Sequence, residues 1–363
     1  MDPVRPDYGG AAITGLVPAL VGHQPAPWLP AEVADADAVV VLLLDGLGWQ
    51  AVEAHRSLLP ELAALRGGPI TTVAPSTTAS ALTSFATGLA PSQHGLVGFR
   101  MRVDDDVLNI LRWQTTKKRR APDPFEMQRH TAFLGRPVPV VTRSEFRNSG
   151  FTDAQLRGAR FIGWNAVSTL VEHCRRLVKA GERFVYAYYP NVDTVAHEFG
   201  LHDSFYVSEL RAADRLVGDL LDVLPPTTAL LVVSDHGQVH IDPGGWVELG
   251  ELSSMVDMCA GDARFRYLYA KPGAATDLLE AARGAVGHQA WVLSREQLFA
   301  EGWIGPAPQG PIGRRVGDVV LAAREPVAFV DPAMPMETQL IGMHGSLTPD
   351  EMYVPLLAGR GRA

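Results

Sequence analysis

The sequence is poor in cysteine, in basic stretches and in long apolar runs, and each shortage excludes a class of protein. Its two cysteines, Cys174 and Cys259, form no metal-type or redox pair, so a reducing cytoplasm is the simplest compartment. A formal net charge of −8, with one short basic run at residues 117–120, argues against a nucleic-acid binder. No uncharged run reaches the roughly 18 residues of a membrane span, and residues 1–10 lack the order of a secretory signal. We therefore expect neither nucleic-acid nor membrane partners.

Apolar residues, by contrast, are plentiful: they make up 47% of the 363 residues, enough for a sizeable core. The aliphatic run at residues 39–44 is typical of a strand buried on both faces, as in a mainly parallel sheet covered by helices. Similar strand patterns occur at residues 69–73, 184–189 and 229–233. Helical spacing is found at residues 11–21, 49–65, 166–180 and 204–223, and we expect the first of these helices to pack on the outside. Strands that alternate with helices predict a doubly wound α/β fold.

The pattern changes between residues 239 and 330, where proline and glycine clusters separate shorter elements. Strand patterns at residues 265–269, 290–293 and 318–322 surround a helical pattern at residues 275–286. We interpret this region as a small α+β insertion. The predicted domains are a core of residues 1–238 and 331–363, which includes a strand at residues 353–357, and a cap-like insertion of residues 239–330.

Each of the four core strands runs into side chains that can bind metal or attack phosphorus. In open α/β sheets the ligand crevice lies at the carboxyl ends of the strands, so we expect these side chains to share one site. Three carboxylates and three imidazoles suit two divalent ions about 3.5–4 Å apart, which clamp the attacking and leaving oxygens of a phosphoryl displacement. The candidate ligands are Asp45, Asp193, His197, Asp235, His236 and His344, and a hydroxyl turn at residues 76–80 could supply a nucleophile.

Each feature alone also has a commoner structural explanation. A serine or threonine at a helix start is usually an N-cap, and Asp45 could equally cap the helix that follows it. Asp193 and His197 lie four residues apart, as in many exposed helical pairs. We assign His94, His202 and His240 to structural roles. Only the ordered set of motifs favours a catalytic site.

Five segments of the chain, in order, resemble the alkaline phosphatase superfamily, and most closely its type I nucleotide pyrophosphatase/phosphodiesterase branch. The segments are LLLDGLG, PSTTASALTSFATGLAPSQHG, PNVDTVAHEFG, VVSDHG and GMHGS. The resemblance implies a three-layer α/β/α sandwich with a mostly parallel central sheet. It implies that Asp193, His197 and His344 hold one metal, and that Asp45, Asp235 and His236 hold a second, which the nucleophile Thr78 touches. Zn²⁺ is the expected ion, with Mn²⁺ or Fe as alternatives.

The activity implied is hydrolysis of a small-molecule phosphodiester or pyrophosphate-like bond. Thr78 attacks phosphorus to give a phosphothreonine enzyme, which water then hydrolyses. Thr78 aligns best with the family nucleophile, but Thr77 and Ser80 are near enough to keep the choice open.

Three departures from the family pattern bear on the substrate. Ala79 stands where the family's diesterases have an aromatic residue that stacks a nucleobase, and Ala81 where they have an asparagine that binds phosphate. Ala196 replaces a common glycine. A phosphomonoesterase, a phosphonate hydrolase and a phosphosugar mutase are alternatives because they share the same metal frame, and Ala79 and Ala81 motivate a further alternative, a non-catalytic protein that retains the metals. A sulfatase is disfavoured, because neither cysteine lies in the hydroxyl turn.

Overall fold

The computed structural model describes residues 2–308 and 310–363. Its helices, numbered along the chain, are α1 Ile13–Leu20, α2 Ala31–Ala34, α3 Trp49–Ala54, α4 Pro60–Ala64, α5 Thr78–Thr87, α6 Pro91–His94, α7 Pro124–Met127, α8 Gly150–Gln155, α9 Val167–Lys179, α10 Asn191–Phe199, α11 Ser204–Val223, α12 Ala275–Val286, α13 Arg295–Ala300 and α14 Pro349–Met352.

The strands are β1 Ala38–Leu44, β2 Arg66–Thr71, β3 Arg100–Val103, β4 Asp106–Asn109, β5 Gln114–Thr115, β6 Pro139–Arg143, β7 Arg160–Trp164, β8 Phe184–Tyr189, β9 Thr228–Val233, β10 Val239–His240, β11 Trp246–Val247, β12 Val256–Asp262, β13 Phe265–Ala270, β14 Ala290–Ser294, β15 Val319–Ala323, β16 Ala328–Phe329, β17 Gly342–Met343 and β18 Tyr353–Arg360.

Seven strands form the central sheet, in the order β2-β18-β9-β1-β8-β6-β7. The pairs β9-β1, β1-β8, β8-β6 and β6-β7 are parallel. Strand β18 runs antiparallel to both of its neighbours, β2 and β9, so β2 points the same way as the parallel strands. The prediction of a mostly parallel sheet is confirmed.

Helices cover both faces of this sheet, because successive residues of the fully buried strand β1 pack into two different apolar clusters. Val39, Val41 and Leu43 pack into one apolar cluster together with residues of α1, α5 and α8. The intervening residues Val40, Leu42 and Leu44 pack into another cluster with residues of α9, α10 and α11. Because successive side chains of a strand point to opposite faces, β1 is the middle layer of three. The predicted α/β/α sandwich is confirmed.

A second, four-stranded antiparallel sheet, β12-β13-β15-β14, lies within the region predicted as an insertion. Helix α12 packs on one face of it through Leu278 and Ala282. Its other face contributes Phe265 and Tyr267 to the main apolar cluster, so this sheet shares a core with the sandwich. The domain boundaries at residues 238/239 and 330/331 stay a prediction.

Three elements differ from their predicted form. The helix expected over residues 49–65 is divided into α3, a 3₁₀ turn at Arg56–Leu58 and α4, and Pro60 begins the last of these because proline suits the first position of a helix. Helix α1 is not on the outside, since Leu16 and Val17 are fully buried in the main cluster. Strand β2 begins at Arg66, earlier than expected, because β18 pairs with it from that residue onward.

Candidate active site

The central strands bring most of the predicted ligands to one edge of the sheet. Strands β9, β1 and β8 are adjacent and parallel, so their carboxyl ends meet there. Asp45 directly follows β1, Asp193 and His197 lie on α10 after β8, and Asp235 and His236 follow β9. The Asp193 backbone N–H donates to the Asp45 carbonyl oxygen at 3.0 Å, which fixes the start of α10 against the end of β1.

Thr78 and His344 reach the same place from other parts of the chain. Thr78 is the first residue of α5, and Thr77, with extended backbone, is its N-cap. Thr78 Oγ1 lies 3.2 Å from His236 Nε2. His344 follows β17, which pairs with β10, and its ring stacks on that of His236 with 3.6 Å between the centroids.

Ligand atoms of the six predicted residues lie close enough to surround cations. Oδ1 of Asp193 is 3.4 Å from His197 Nε2 and 3.7 Å from His344 Nε2. On the other side of the site, His236 Nε2 is 3.4 Å from Asp45 Oδ1 and 3.5 Å from Asp235 Oδ2. Two groups therefore have ligand atoms within 4.8 Å of one another: Asp193, His197 and His344, and Asp45, Asp193 and His236. Asp235 adjoins the second group, and Asp193 belongs to both.

All three imidazoles are oriented by backbone carbonyls. His197 Nδ1 is 2.5 Å from the Gly342 oxygen, His236 Nδ1 is 3.1 Å from the Gly237 oxygen, and His344 Nδ1 is 2.9 Å from the Ser76 oxygen. A carbonyl can only accept, so each Nδ1 carries the hydrogen and each Nε2 presents its lone pair to the carboxylates. This is the arrangement that fixes the tautomer of metal-binding histidines.

The buried carboxylates of the site need a compensating positive charge. Asp45 Oδ1 and Asp235 Oδ2 are buried and have no hydrogen-bond partner among the described residues. Burial, followed by repulsion from Asp235 and Asp193, raises the pKa of Asp45 well above its usual range, and burial also raises the pKa of Asp235. Burial and the rings of His236 and His197 lower the pKa of His344 well below its usual value. Divalent cations would satisfy the orphaned oxygens and the neutral imidazoles together, so the donor set fits them.

Two contacts of the site were not predicted from the sequence. The Tyr188 hydroxyl donates to Asp45 Oδ2, and Gln238 Nε2 donates to Asp193 Oδ1 at 2.5 Å. The alternation of β8 places Tyr188 on one face with Tyr186, but the sequence has no feature that would mark its hydroxyl as a partner of Asp45. Gln238 follows the Asp235-His236 pair closely, and that proximity was the available signal.

The other hydroxyls of the turn point elsewhere. Ser80 Oγ donates to the Leu96 carbonyl at 3.0 Å, and the Thr77 hydroxyl lies beside the Asp262 carboxylate. Ala79 and Ala81 are fully buried in the main apolar cluster. Of the three candidate nucleophiles, Thr78 is the one whose hydroxyl contacts a predicted ligand.

The residues assigned to structural roles lie apart from this contact. His94 bonds to Ser84 within the α5-α6 region at 2.9 Å. The rings of His202 and His240 stack on each other with their centroids 4.2 Å apart. Neither arrangement includes any of the six predicted ligands.

Comparison with known proteins shows the class to which this α/β/α sandwich belongs, the hydrolases of phosphoric ester or pyrophosphate bonds. The family profile described as type I phosphodiesterase/nucleotide pyrophosphatase matches residues 39–347. The chain belongs to this family, as the sequence resemblance predicts.

Solved structures share the fold at low sequence identity. Murine ectonucleotide pyrophosphatase/phosphodiesterase 5 superposes with a TM-score of 0.66 at 17% identity, over 90% of this chain and 88% of that one. The human protein of the same name gives 0.66 at 15% identity, with the same coverage of 90% and 88%. An inactive variant of the murine protein, in complex with AMP, gives 0.64 at 16% identity over 88% of this chain and 87% of that one.

One curated relative matches part of the sequence. GPI ethanolamine phosphate transferase 3 of Schizosaccharomyces pombe is 32% identical over 82 residues, which are 23% of this chain. The match spans only 9% of the length of that relative.

Proposed function

We propose that the protein hydrolyses a phosphodiester or pyrophosphate-like bond in a small molecule, with Thr78 as nucleophile and two divalent cations. The observation that carries this proposal is the convergence of six ligand side chains from distant parts of the chain beside the Thr78 hydroxyl. Asp193, His197 and His344 would hold one cation, and Asp45, Asp235 and His236 the other, which Thr78 contacts. Zinc is the expected metal because carboxylate and imidazole ligands suit it, although manganese or iron also accept them.

The chemistry follows from the position of Thr78. The cations, when bound, favour the ionised hydroxyl and offset the charge of the phosphoryl oxygens. Thr78 Oγ1 loses its proton, which ends on the leaving oxygen, and bonds to phosphorus while the bond to that oxygen breaks, which gives a phosphothreonine that keeps the second ester group. Water then attacks phosphorus and releases Thr78. Tyr188 and Gln238 hold the carboxylates of Asp45 and Asp193 in place throughout.

Metal analysis and turnover test this proposal together. The purified protein should carry about two divalent ions per chain and hydrolyse bis(4-nitrophenyl) phosphate. Thr78→Ala should abolish turnover and keep the metal, whereas Thr78→Ser should retain part of the activity because it keeps a hydroxyl. Acid-quenched wild type should contain Thr78 esterified with a 4-nitrophenyl phosphoryl group, detected by mass spectrometry. An inactive, metal-free wild type, or full activity of Thr78→Ala, would contradict the proposal.

A second candidate is a binding protein that keeps the metals but has lost turnover. Ala79 and Ala81 favour it, because neither residue can supply the aromatic or amide group that the family's diesterases use. This candidate predicts metal and ligand binding without a covalent phosphoenzyme. AMP is bound by the inactive murine variant and is a suitable first ligand for either candidate. Relative rates on monoesters and diesters, and phosphoryl transfer without phosphate release, distinguish the phosphomonoesterase and mutase alternatives.

A cytoplasmic location remains part of this proposal. Cys174 and Cys259 are both free thiols, which agrees with a reducing compartment. Among the helices of residues 2–308 and 310–363, none combines the length and apolar character needed to cross a bilayer. Fractionation of the native host, with the protein followed by antibody, tests the location directly.

A further inference from the structure

A cavity of about 230 Å³ opens beside the candidate nucleophile. Asp45, Thr78 and Asp193 line one end of it. Its volume is below the roughly 300–1,000 Å³ of sites for drug-sized ligands, so it suits a single ring better than a long chain or a fused, multi-ring group. Because the cavity is continuous with Thr78, a group bound there would remain attached to the reacting phosphorus.

Several apolar residues of regular elements line the cavity. Leu82 lies one helical turn after Thr78 on α5 and therefore on the same face. Val140 of β6 and Phe151 of α8 also line the cavity. No lysine, arginine or histidine is among the described residues that line the cavity. A charged organic group would lose its hydration there without a compensating partner, and an anionic one would also meet the carboxylates of Asp45 and Asp193.

Two largely buried polar side chains lie in the same lining. Thr142 follows Val140 by two residues on β6 and so shares its face, and Gln155 is the final residue of α8. Their exposed fractions are 4% and 8%. A hydroxyl and an amide in the lining can bond to a polar atom of a ligand in the cavity.

We propose that this cavity binds one organic group of the substrate ester, an uncharged single ring that carries a neutral hydrogen-bonding substituent. Thr142 and Gln155 bind the substituent, and Leu82, Val140 and Phe151 pack on the ring. The inference rests on the proposed function, because it assigns an organic group of the same ester. Its test must therefore separate binding from turnover.

Calorimetric titration of the metal-loaded Thr78→Ala protein provides that separation. Three matched probes differ only at one ring position: methyl phenyl phosphate, methyl 4-carbamoylphenyl phosphate and methyl 4-carboxyphenyl phosphate. The carbamoyl probe should bind about fivefold more tightly than the phenyl probe, the equivalent of one hydrogen bond. The carboxy probe should bind at least about tenfold more weakly than the carbamoyl probe. Equal binding of the carboxy and carbamoyl probes would overturn the inference.

Variants of the two polar residues identify the source of the preference. Adding Gln155→Leu and Thr142→Val to the Thr78→Ala protein should make its affinities for the phenyl and carbamoyl probes equal. Adding Thr142→Ser instead, which keeps the hydroxyl, should preserve the preference for the carbamoyl probe. If the preference survives the double change in a protein with unaltered thermal unfolding, the assignment is wrong. If the double variant is unstable, Gln155→Leu alone should still halve the preference, and an unchanged preference would contradict it.

Turnover by the wild type is scored separately. A wild type that hydrolyses bis(4-nitrophenyl) phosphate but shows no preference among the three probes would overturn only this inference. A wild type that shows the expected preference among the probes but does not hydrolyse bis(4-nitrophenyl) phosphate would overturn only the proposed hydrolysis.

Discussion

Arg264 and Glu351 form a fully buried, bidentate ion pair that joins the second sheet to the loop of His344. Arg264 Nε and Nη2 lie 2.7 and 2.9 Å from the two carboxylate oxygens of Glu351. Glu351 Oε1 also accepts the backbone N–H of Ser346 at 2.9 Å, two residues after His344. The pair therefore supports one of the predicted metal ligands from a distance.

Glu351→Gln should lower both stability and metal affinity. It leaves Arg264 buried without an opposite charge, a defect that costs about 3–5 kcal/mol in other proteins. Urea unfolding measures the first effect, and zinc titration of the metal-free protein measures the second. Arg5→Ala, which breaks the solvent-exposed Arg5–Glu301 pair, is the control and should change neither. Wild-type stability in Glu351→Gln would show that the pair has no net structural role.

Gly342→Ala should weaken the metal site through backbone displacement. A β-carbon at this position would lie 2.5 Å from the Ala196 carbonyl oxygen, so α10 and β17 would have to separate. His197 would then lose its carbonyl partner at Gly342, and loss of such an orienting contact typically lowers metal affinity about 10- to 100-fold. Gly284→Ala, where a β-carbon meets nothing within 4 Å, is the matched control. Equal metal affinities of the two variants would contradict the prediction.

Tyr188→Phe should reduce metal affinity without unfolding the protein. The change deletes the hydroxyl that donates to Asp45, and a hydrogen bond to a charged group is worth about 1.5–3 kcal/mol. Equilibrium dialysis against zinc measures the effect. Tyr189→Phe is a suitable control, because its hydroxyl bonds to Glu209 at 2.6 Å, away from the predicted ligands, and metal affinity should stay at the wild-type value. A similar loss in both variants would argue against a specific role for Tyr188.

His94 should make stability fall in mildly acidic solution. Its Nδ1 accepts the Leu96 N–H at 3.1 Å, so Nε2 carries the hydrogen that Ser84 Oγ accepts. Burial lowers the pKa of His94 from 6.5 to about 3. Below pH 6.5 the unfolded chain binds a proton at His94 that the folded chain does not bind. As the pH falls from 6.5 to 3, the free energy of unfolding therefore decreases by about 1.4 kcal/mol per pH unit.

The contribution of His94 is measured as a difference. Other histidines titrate in the same range, so the free energy of unfolding is compared for wild type and His94→Gln between pH 7 and 5. The number of protons that the chain takes up on unfolding should be smaller by one in the variant. Identical pH dependences would show that His94 is not the group responsible.

The sequence was sufficient for the parts of the fold and site that depend on local patterns. Each predicted ligand directly follows a strand or lies in the first turns of the next helix, so short motifs and strand runs locate Asp45, Asp193 and Asp235. Long-range pairs leave no such pattern. Arg264 and Glu351 are 87 residues apart, and Tyr188 is 143 residues from Asp45, so only the folded chain brings them into contact.

The errors in secondary structure have local and tertiary causes. The helix predicted over residues 49–65 runs through Pro60 because the apolar residues on both sides of it keep helical spacing. Proline can begin a helix but not extend one, so Pro60 starts α4 instead. Strand β2 contains Gly67 and Gly68, which disfavour strands, and is stabilised by its pairing with β18, a partner more than 280 residues away in the chain.

The late position of β18 in the chain also limits when the central sheet of the enzyme can be completed during synthesis. Strand β2, which leads to Thr78, is joined to the parallel strands of the sheet through β18, at residues 353–360. On the ribosome, the strands that bear Asp45, Asp193 and Asp235 are complete more than a hundred residues before that connecting strand is synthesised. Thr78 and the predicted metal ligands thus cannot join a finished sheet until translation has passed residue 353, and we expect a chain truncated before that residue to lack the complete candidate site.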